Sequence, residues 1–268
     1  MNDDTQLQRL VAWEQELEEL HLGWPVFAFE ETASTMDAAK ELLATPPYLV
    51  LARKQRQGRG RGGKIWQAPN DSLKMTLVLP IHDRTKLAEG FSLFVGVEIA
   101  RVLKRLLGVE LRVKWPNDLF SVTGKKVGGI LIETTSENRL LLGLGLNTVS
   151  IPTIREATSL HSLVNKTIPE SHLLAAFIAK ALVEQYQEFL SSGLCRKAWA
   201  EVGYGIGKHA RVYDGESIKL QGTFLGITEK GEAIFETAKG VTTMLISGTL
   251  RFDPDKDELR ESILHPNG

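Results

Sequence analysis

The densest potential for chemistry lies in the run Gly58-Arg59-Gly60-Arg61-Gly62-Gly63-Lys64. Glycines let backbone N–H groups approach a ligand closely, and guanidinium groups grip negative oxygens in a forked geometry. Gln55, just upstream, adds a neutral donor and acceptor. The run matches two phosphate-binding patterns and fits neither cleanly. Gly58, Gly60 and Gly63 satisfy G-x-G-x-x-G, but Pro69 and Asn70-Asp71 follow where a dinucleotide loop would open a helix. Gly58, Gly63 and Lys64 match most of the Walker pattern, but Ile65 stands where Ser or Thr should ligate Mg²⁺. What remains is either a loop suited to an anionic or phosphate-bearing ligand or a solvated basic turn.

Three further stretches could join it. In Lys114-Trp115-Pro116-Asn117-Asp118, Pro116 biases Trp115 toward extended backbone and Asn117-Asp118 favour a turn. Lys114 and Asp118 thus stand at a strand mouth, the first able to meet phosphate oxygens, the second able to hold a metal or orient a neighbour. An ordinary polar strand end fits equally well. Lys126 precedes an apolar strand that contains Gly128-Gly129. Glycine weakens a strand unless a ligand or another backbone must come close, or a bulge forms there. Asn147 closes the run GLGLN, where an amide could read a base or a sugar, although a turn-forming Asn is the simpler reading. The six histidines are scattered and form no H-x-x-x-H pair, so no metal ligand set is identified. Cys195 is the only cysteine, which excludes intrachain disulfides and a cysteine zinc site, and no G-x-S-x-G elbow occurs.

The elements that would position these residues read as α+β. Residues 4–20 have helical apolar spacing, and VFAF after Pro25 is strand-like. Ser34 or Thr35 can cap a helix with Asp37 in its first turn, and Pro46-Pro47 ends it. Strands are expected at YLVLARKQ, SLKMTLVLP, before KWPND, and in KKVGGILIETT and NRLLLGLGLN. Helices are expected from about Thr85 to Leu107 and through PESHLLAAFIAKALVEQYQEFL. After Tyr204 short strands alternate with turns at Asp214-Gly215, Lys230-Gly231 and Lys239-Gly240, which suggests a small antiparallel barrel. The expected organisation is a helical extension over 1–25, an α+β body over 26–203, a β-module over 204–254 and a charged tail over 255–268. With 32 basic and 33 acidic residues, the formal net charge of −1 excludes a general nucleic-acid field. The acidic N-terminus is wrong for a signal peptide, and no apolar run reaches about 18 residues, so a soluble cytoplasmic protein without membrane contact is expected.

In order, Ser34-Thr35-Met36, Q-x-x-G-R-G-R from Gln55 to Arg61, Trp66, KWPND, K-x-G-G-I-L-I-E and GLGLN resemble biotin protein ligases. The resemblance is strong over about residues 30–150. It implies a mixed sheet with flanking helices, as in class II synthetase-like biotin–lipoate ligase domains, followed by a small SH3-like β-barrel. It implies activation of biotin by MgATP to biotinyl-5′-AMP, then transfer to a lysine of a biotin carboxyl carrier protein, the acetyl-CoA carboxylase subunit by default. By resemblance Ser34, Thr35, Met36, Gln55, Gly128 and Gly129 line the biotin site. Arg59, Gly60 and Arg61 close over biotin and phosphate, and Lys126 approaches both biotin and adenylate. Arg59, Arg61 and Lys126 are then the catalytic cations. Trp66, Lys114, Asn117, Asp118 and Asn147 hold the nucleotide.

The family loop usually reads close to A-G-R-G-R-R-G-R-x-W, so Gln57, Gly62 and Lys64 depart from it, as does Met36 where Asn is common. A weakened ligase is one consequence, in which case Gly62→Arg would speed adenylation. Only about 25 residues precede the first expected strand, too few for the helix-turn-helix of ligases that also repress transcription, so no DNA partner is expected. Such ligases commonly form sheet-edge homodimers, which leaves oligomeric state open. A lipoate ligase or lipoyl transferase and a non-catalytic biotin or nucleotide sensor are the rival readings.

Overall fold

The computed structural model describes residues 12–149, 154–243 and 248–252. Seven strands form the main sheet in the order β1-β2-β3-β7-β6-β5-β4. They are β1 (Val26–Thr32), β2 (Tyr48–Gln55), β3 (Leu73–Pro80), β4 (Leu111–Lys114), β5 (Asp118–Ser121), β6 (Lys126–Thr134) and β7 (Arg139–Leu146). β1 and β2 run parallel and every other neighbouring pair is antiparallel, so the sheet is mixed. Its central strands β2, β3 and β7 are almost continuously apolar because both faces are covered.

Strand alternation sorts those side chains. Tyr48, Val50, Val78 and Leu141 pack under α2 (Thr35–Glu41) with Met36 and Ala39. Leu49, Leu51, Leu77, Leu79, Leu140 and Leu142 face the larger core beneath α4 (Phe91–Leu107) and α6 (Ser171–Ser192). The N-terminal helix α1 spans 12–19 among the described residues and buries Trp13 and Leu17; positions 4–11 of its expected span lie outside them, and Leu20 is in the turn that follows. The helix expected from about Thr85 to Leu107 is instead two, α3 (Arg84–Ala88) and α4, broken at Gly90 with φ +78°. A Cβ at Gly90 would meet Leu194 at 2.7 Å, so both the conformation and the space require glycine. α5 (Leu160–Leu163) and α7 (Arg196–Val202) complete the helices described.

A second sheet holds β8 (His209–Asp214), β9 (Ser217–Ile227), β10 (Ala233–Thr237), β11 (Gly240–Thr243) and β12 (Thr249–Phe252) in the order β11-β10-β9-β8-β12. The expected turns occur, but the expected SH3-like barrel does not. Among the described residues β11 pairs only with β10 and β12 only with β8, so the sheet stays open. Closure needs the two end strands to meet with matched tilt and stagger. Here each is four residues long, and Gly248, Thr249 and Leu250 turn toward the main body. The sheet covers its apolar face on that body instead: Phe224, Phe235 and Leu250 share a core with Trp115 and Trp199. Regular turn spacing specifies a meander and carries no information about closure. The indole N–H of Trp115 donates to the Gly231 carbonyl at 2.9 Å, and the Tyr204 amide donates to Val113 at 3.0 Å.

Candidate functional site

A cleft of about 450 Å³ opens over one face of the main sheet, between the glycine-rich loop and the second sheet. That volume suits a drug-sized ligand. At one end, Ser34 caps α2 by accepting the Met36 amide at 3.3 Å. Thr35 donates to Gln55 Oε1 through its amide at 2.9 Å and its hydroxyl at 3.2 Å, and it accepts from Thr76 Oγ1 at 2.9 Å. These small polar groups, fixed by one another, border an apolar wall of Met36, Ile130, Leu131 and Leu144.

The glycine-rich loop folds back as a narrow hairpin. Trp66 N–H donates to Gly58 at 2.8 Å, Gly60 N–H donates to Lys64 at 2.7 Å, and Arg59 bridges Ile65. The reversal at Arg61–Gly63 uses Gly62 at φ +65° and Gly63 at φ +74°. Its two arginines point to different anchors. Arg59 Nη2 lies 2.7 Å from Asp37 on α2, and Arg61 Nη1 donates to Asn117 Oδ1 at 3.2 Å. Burial lowers the Arg61 pKa, with Asp118 opposing that shift.

The other end is cationic. Lys126 Nζ pairs with Asp118 Oδ1 at 2.6 Å and lies 5.5 Å from the Trp66 ring centroid. Lys114 Nζ lies 4.7 Å from the Phe120 ring centroid. Burial lowers its pKa, Asp118 opposes that shift, and Lys126, Arg251 and Lys64 add to it. Asn117 is locked by donating to the Ile130 carbonyl at 2.6 Å. Cations so concentrated in a half-closed cleft attract a polyanion. The arrangement can therefore hold an elongated ligand: a neutral polar head at Gln55 and Thr35, an apolar middle, and an anionic end under Arg61, Lys114 and Lys126.

The cleft gathers Ser34, Thr35, Met36, Gln55, Arg59, Gly60, Arg61, Trp66, Lys114, Asn117, Asp118, Lys126 and Gly129. Gly128 and Asn147 are not on its wall. A Cβ at Gly128 would meet the Gly145 carbonyl at 2.7 Å, so Gly128 serves strand packing. Asn147 is buried and donates to the Thr158 carbonyl at 3.2 Å, while its Oδ1 is buried without a partner.

A model of the biotin/lipoate A/B protein ligase family matches residues 28–147, from β1 to the end of β7. The bifunctional ligase/repressor BirA of Bacillus subtilis is 27% identical over 82% of this chain and 72% of its own length. The biotin–protein ligase of Homo sapiens is 28% identical over 83% of this chain, which spans about a third of that relative's length, 34%. Over residues 28–147 the chain is similar to the biotin/lipoate A/B protein ligase family. Its fold matches the biotin protein ligase of Aquifex aeolicus, solved in complex with biotin and ATP, with a TM-score of 0.75 over 85% of this chain and 99% of that one at 24% identity.

Sequence reasoning missed several residues of this cleft, among them two glycines, a lysine and a tyrosine. Gly143 and Gly145 on β7 form part of the floor. A Cβ at Gly143 would meet Met36 Sδ at 2.9 Å, and one at Gly145 would run into the Trp66 indole. Glycine inside an apolar strand was the available signal, the same one used for Gly128-Gly129. Lys74 sits in the wall of the cleft, and Tyr213 on β8 reaches it from the second sheet. Neither carries a local pattern that marks it.

Proposed function

We propose that this ligase joins biotin to ATP, forming biotinyl-5′-AMP and pyrophosphate, and then transfers the biotinyl group to one lysine of a biotin carboxyl carrier protein. The observation that carries this reading is the convergence of two unlike ends in one cleft. Gln55 and Thr35 present neutral donors and acceptors beside an apolar wall, and Arg61, Lys114 and Lys126 gather at the other end. Biotin is an apolar bicycle with a urea head and a carboxylate tail, so the first end suits its rings. The second suits the tail and the triphosphate.

In this reading Ser34, Thr35 and Gln55 satisfy the urea, while Met36 and Gly129 border the rings. Attack of the carboxylate on the α-phosphorus brings two anions together. Arg59, Arg61 and Lys126 offset that repulsion and the charge growing on pyrophosphate. Gly60 lets the loop backbone approach, Trp66 stacks on adenine, and Lys114, Asn117 and Asp118 frame the nucleotide. Asn147 donates to the Thr158 carbonyl, and the Thr158 amide donates to the Lys126 carbonyl at 2.8 Å, so Asn147 backs Lys126 from outside the cleft.

Mg²⁺ belongs to the proposal as a companion of ATP. No group of three or more His, Cys, Asp or Glu side chains that could hold a metal occurs among the described residues, and Asp118 is already paired with Lys126. The ion would thus enter on the triphosphate, where it supplies charge neutralisation. A carrier domain of acetyl-CoA carboxylase is the acceptor we propose, in the cytoplasm, in keeping with the lone Cys195. No helix among the described residues is long and apolar enough to cross a membrane.

ATP–pyrophosphate exchange tests the reading directly. Exchange that needs biotin is the expected result. Exchange with lipoate alone would keep the fold and overturn the substrate.

A further inference from the structure

Lys74 on β3 is 5% exposed, and its Nζ donates to four backbone carbonyls. They belong to Arg53 at 3.0 Å, Pro69 at 2.8 Å, Asn70 at 2.9 Å and Ser72 at 3.0 Å. An ammonium has three protons, so these oxygens share all of them and leave none for a ligand. Three of the four lie in the irregular segment that joins Trp66 to β3. The fourth is on β2, two residues before Gln55. The segment's other ties are the Ser72 amide to Pro69 at 3.0 Å, Thr148 Oγ1 to the Asp71 carbonyl at 2.7 Å, and Arg53 to the Asp71 carboxylate at 3.3 Å. Burial pulls the Lys74 ammonium down to about 8, with Asp71 opposing and Arg53 adding, so at neutral pH it is still a cation.

We propose that Lys74 is a positioning residue for the nucleotide step: its ammonium draws the carbonyls of Pro69, Asn70 and Ser72 onto β2 and β3, and so sets where the Trp66 indole stands. The inference rests on the reading of Trp66 as the adenine platform. Upstream, Trp66 is held by its amide bond to Gly58, and its ring lies over Gly145. Downstream, the first anchor that gathers several backbone groups at once is Lys74. An apolar residue at that site would leave inward-facing carbonyls without a donor, a state that folded chains avoid. Truncation should therefore loosen this segment before it loosens the sheet.

Lys74→Met keeps the unbranched stem and removes the ammonium, and Lys74→Gln keeps two donors. Three readouts separate the outcomes: amide hydrogen exchange over residues 66–72 without ligand, biotin affinity by calorimetry, and the ATP KM in biotin-dependent pyrophosphate exchange. In Lys74→Met, exchange over 66–72 should quicken about ten-fold and the ATP KM should rise about ten-fold, with biotin affinity held within about two-fold. Lys74→Gln should fall between Met and the native residue. Unchanged exchange over 66–72, equal losses for biotin and ATP, or loss of cooperative unfolding in both variants would each overturn the proposal. A native chain that catalyses no pyrophosphate exchange would instead sink the functional reading, and the ligand-free hydrogen-exchange arm would still judge the role of Lys74.

Discussion

The ammonium of Lys126 lies 2.6 Å from a carboxylate oxygen of Asp118, and the pair stands at the mouth of the cleft with about a third and a quarter of their side chains exposed. Asp118 thus orients the cation before any ligand arrives, and a charge that is already placed costs no reorganisation when the reaction needs it.

Lys126→Ala should lower biotin-dependent pyrophosphate exchange by about 10²–10³-fold. Part of that loss comes from leaving the Asp118 carboxylate bare beside an incoming polyanion. The double variant Lys126→Ala/Asp118→Asn should therefore recover some activity relative to Lys126→Ala, and a double-mutant cycle on the exchange rate checks it.

Gly143→Ala and Gly145→Ala should separate the two ends of the cleft. A methyl at Gly145 collides with the Trp66 ring, which is large and backed by the loop, so nucleotide binding should weaken by about 1–3 kcal/mol. At Gly143 the methyl meets the flexible end of Met36, which can move, so biotin binding should change less. Calorimetry with each ligand separately distinguishes the two.

Gly62→Arg would add the cation usual in the ligase loops that this one resembles, yet it should not speed adenylation. Gly62 has φ +65°, and a side chain there is strained although nothing stands within 4 Å of a Cβ. The expected result is a first-step rate no higher than that of the native chain and a loss of about 1 kcal/mol in stability. Single-turnover adenylate formation and denaturant unfolding measure both.

Tyr186 on α6 donates to the Pro80 carbonyl at 2.8 Å, and burial raises its phenol to about 12. In the unfolded chain the same phenol ionises near the ordinary value of 10.0. The folded state therefore holds the proton longer. Its contribution is complete below pH 10 and is lost as the pH rises toward 12. Tyr186→Phe should remove that part of the alkaline decline, as read from urea midpoints at pH 9 to 11.5.

Much of the main sheet was legible because its strands are apolar runs bounded by turn signals, and α2 because Ser34 is a capping residue ahead of Asp37. The lining of the cleft was legible where side-chain type suggested chemistry, as at Gln55, Arg61 and Lys126. β5 was hidden, since Asp118–Ser121 is four residues long and reads as the tail of the KWPND turn. The break at Gly90 was hidden because its cause is Leu194 and Gly231, both far away in sequence. Barrel closure was misjudged because it depends on what the end strands meet, which no local pattern records. Lys74 was passed over because its partners are main-chain oxygens, and those have no signature in side-chain composition.

Trp115 shares its turn with Asn117 and Asp118, yet its indole reaches across to the Gly231 carbonyl, and a Cβ on Gly231 would meet Gly90 Cα at 2.7 Å. The second sheet is thereby a splint for the cationic end of the cleft, too closely fitted to swing as a separate body. Heat should melt both sheets in one transition, and damage to the far sheet should register as lost catalysis although no cleft residue has changed.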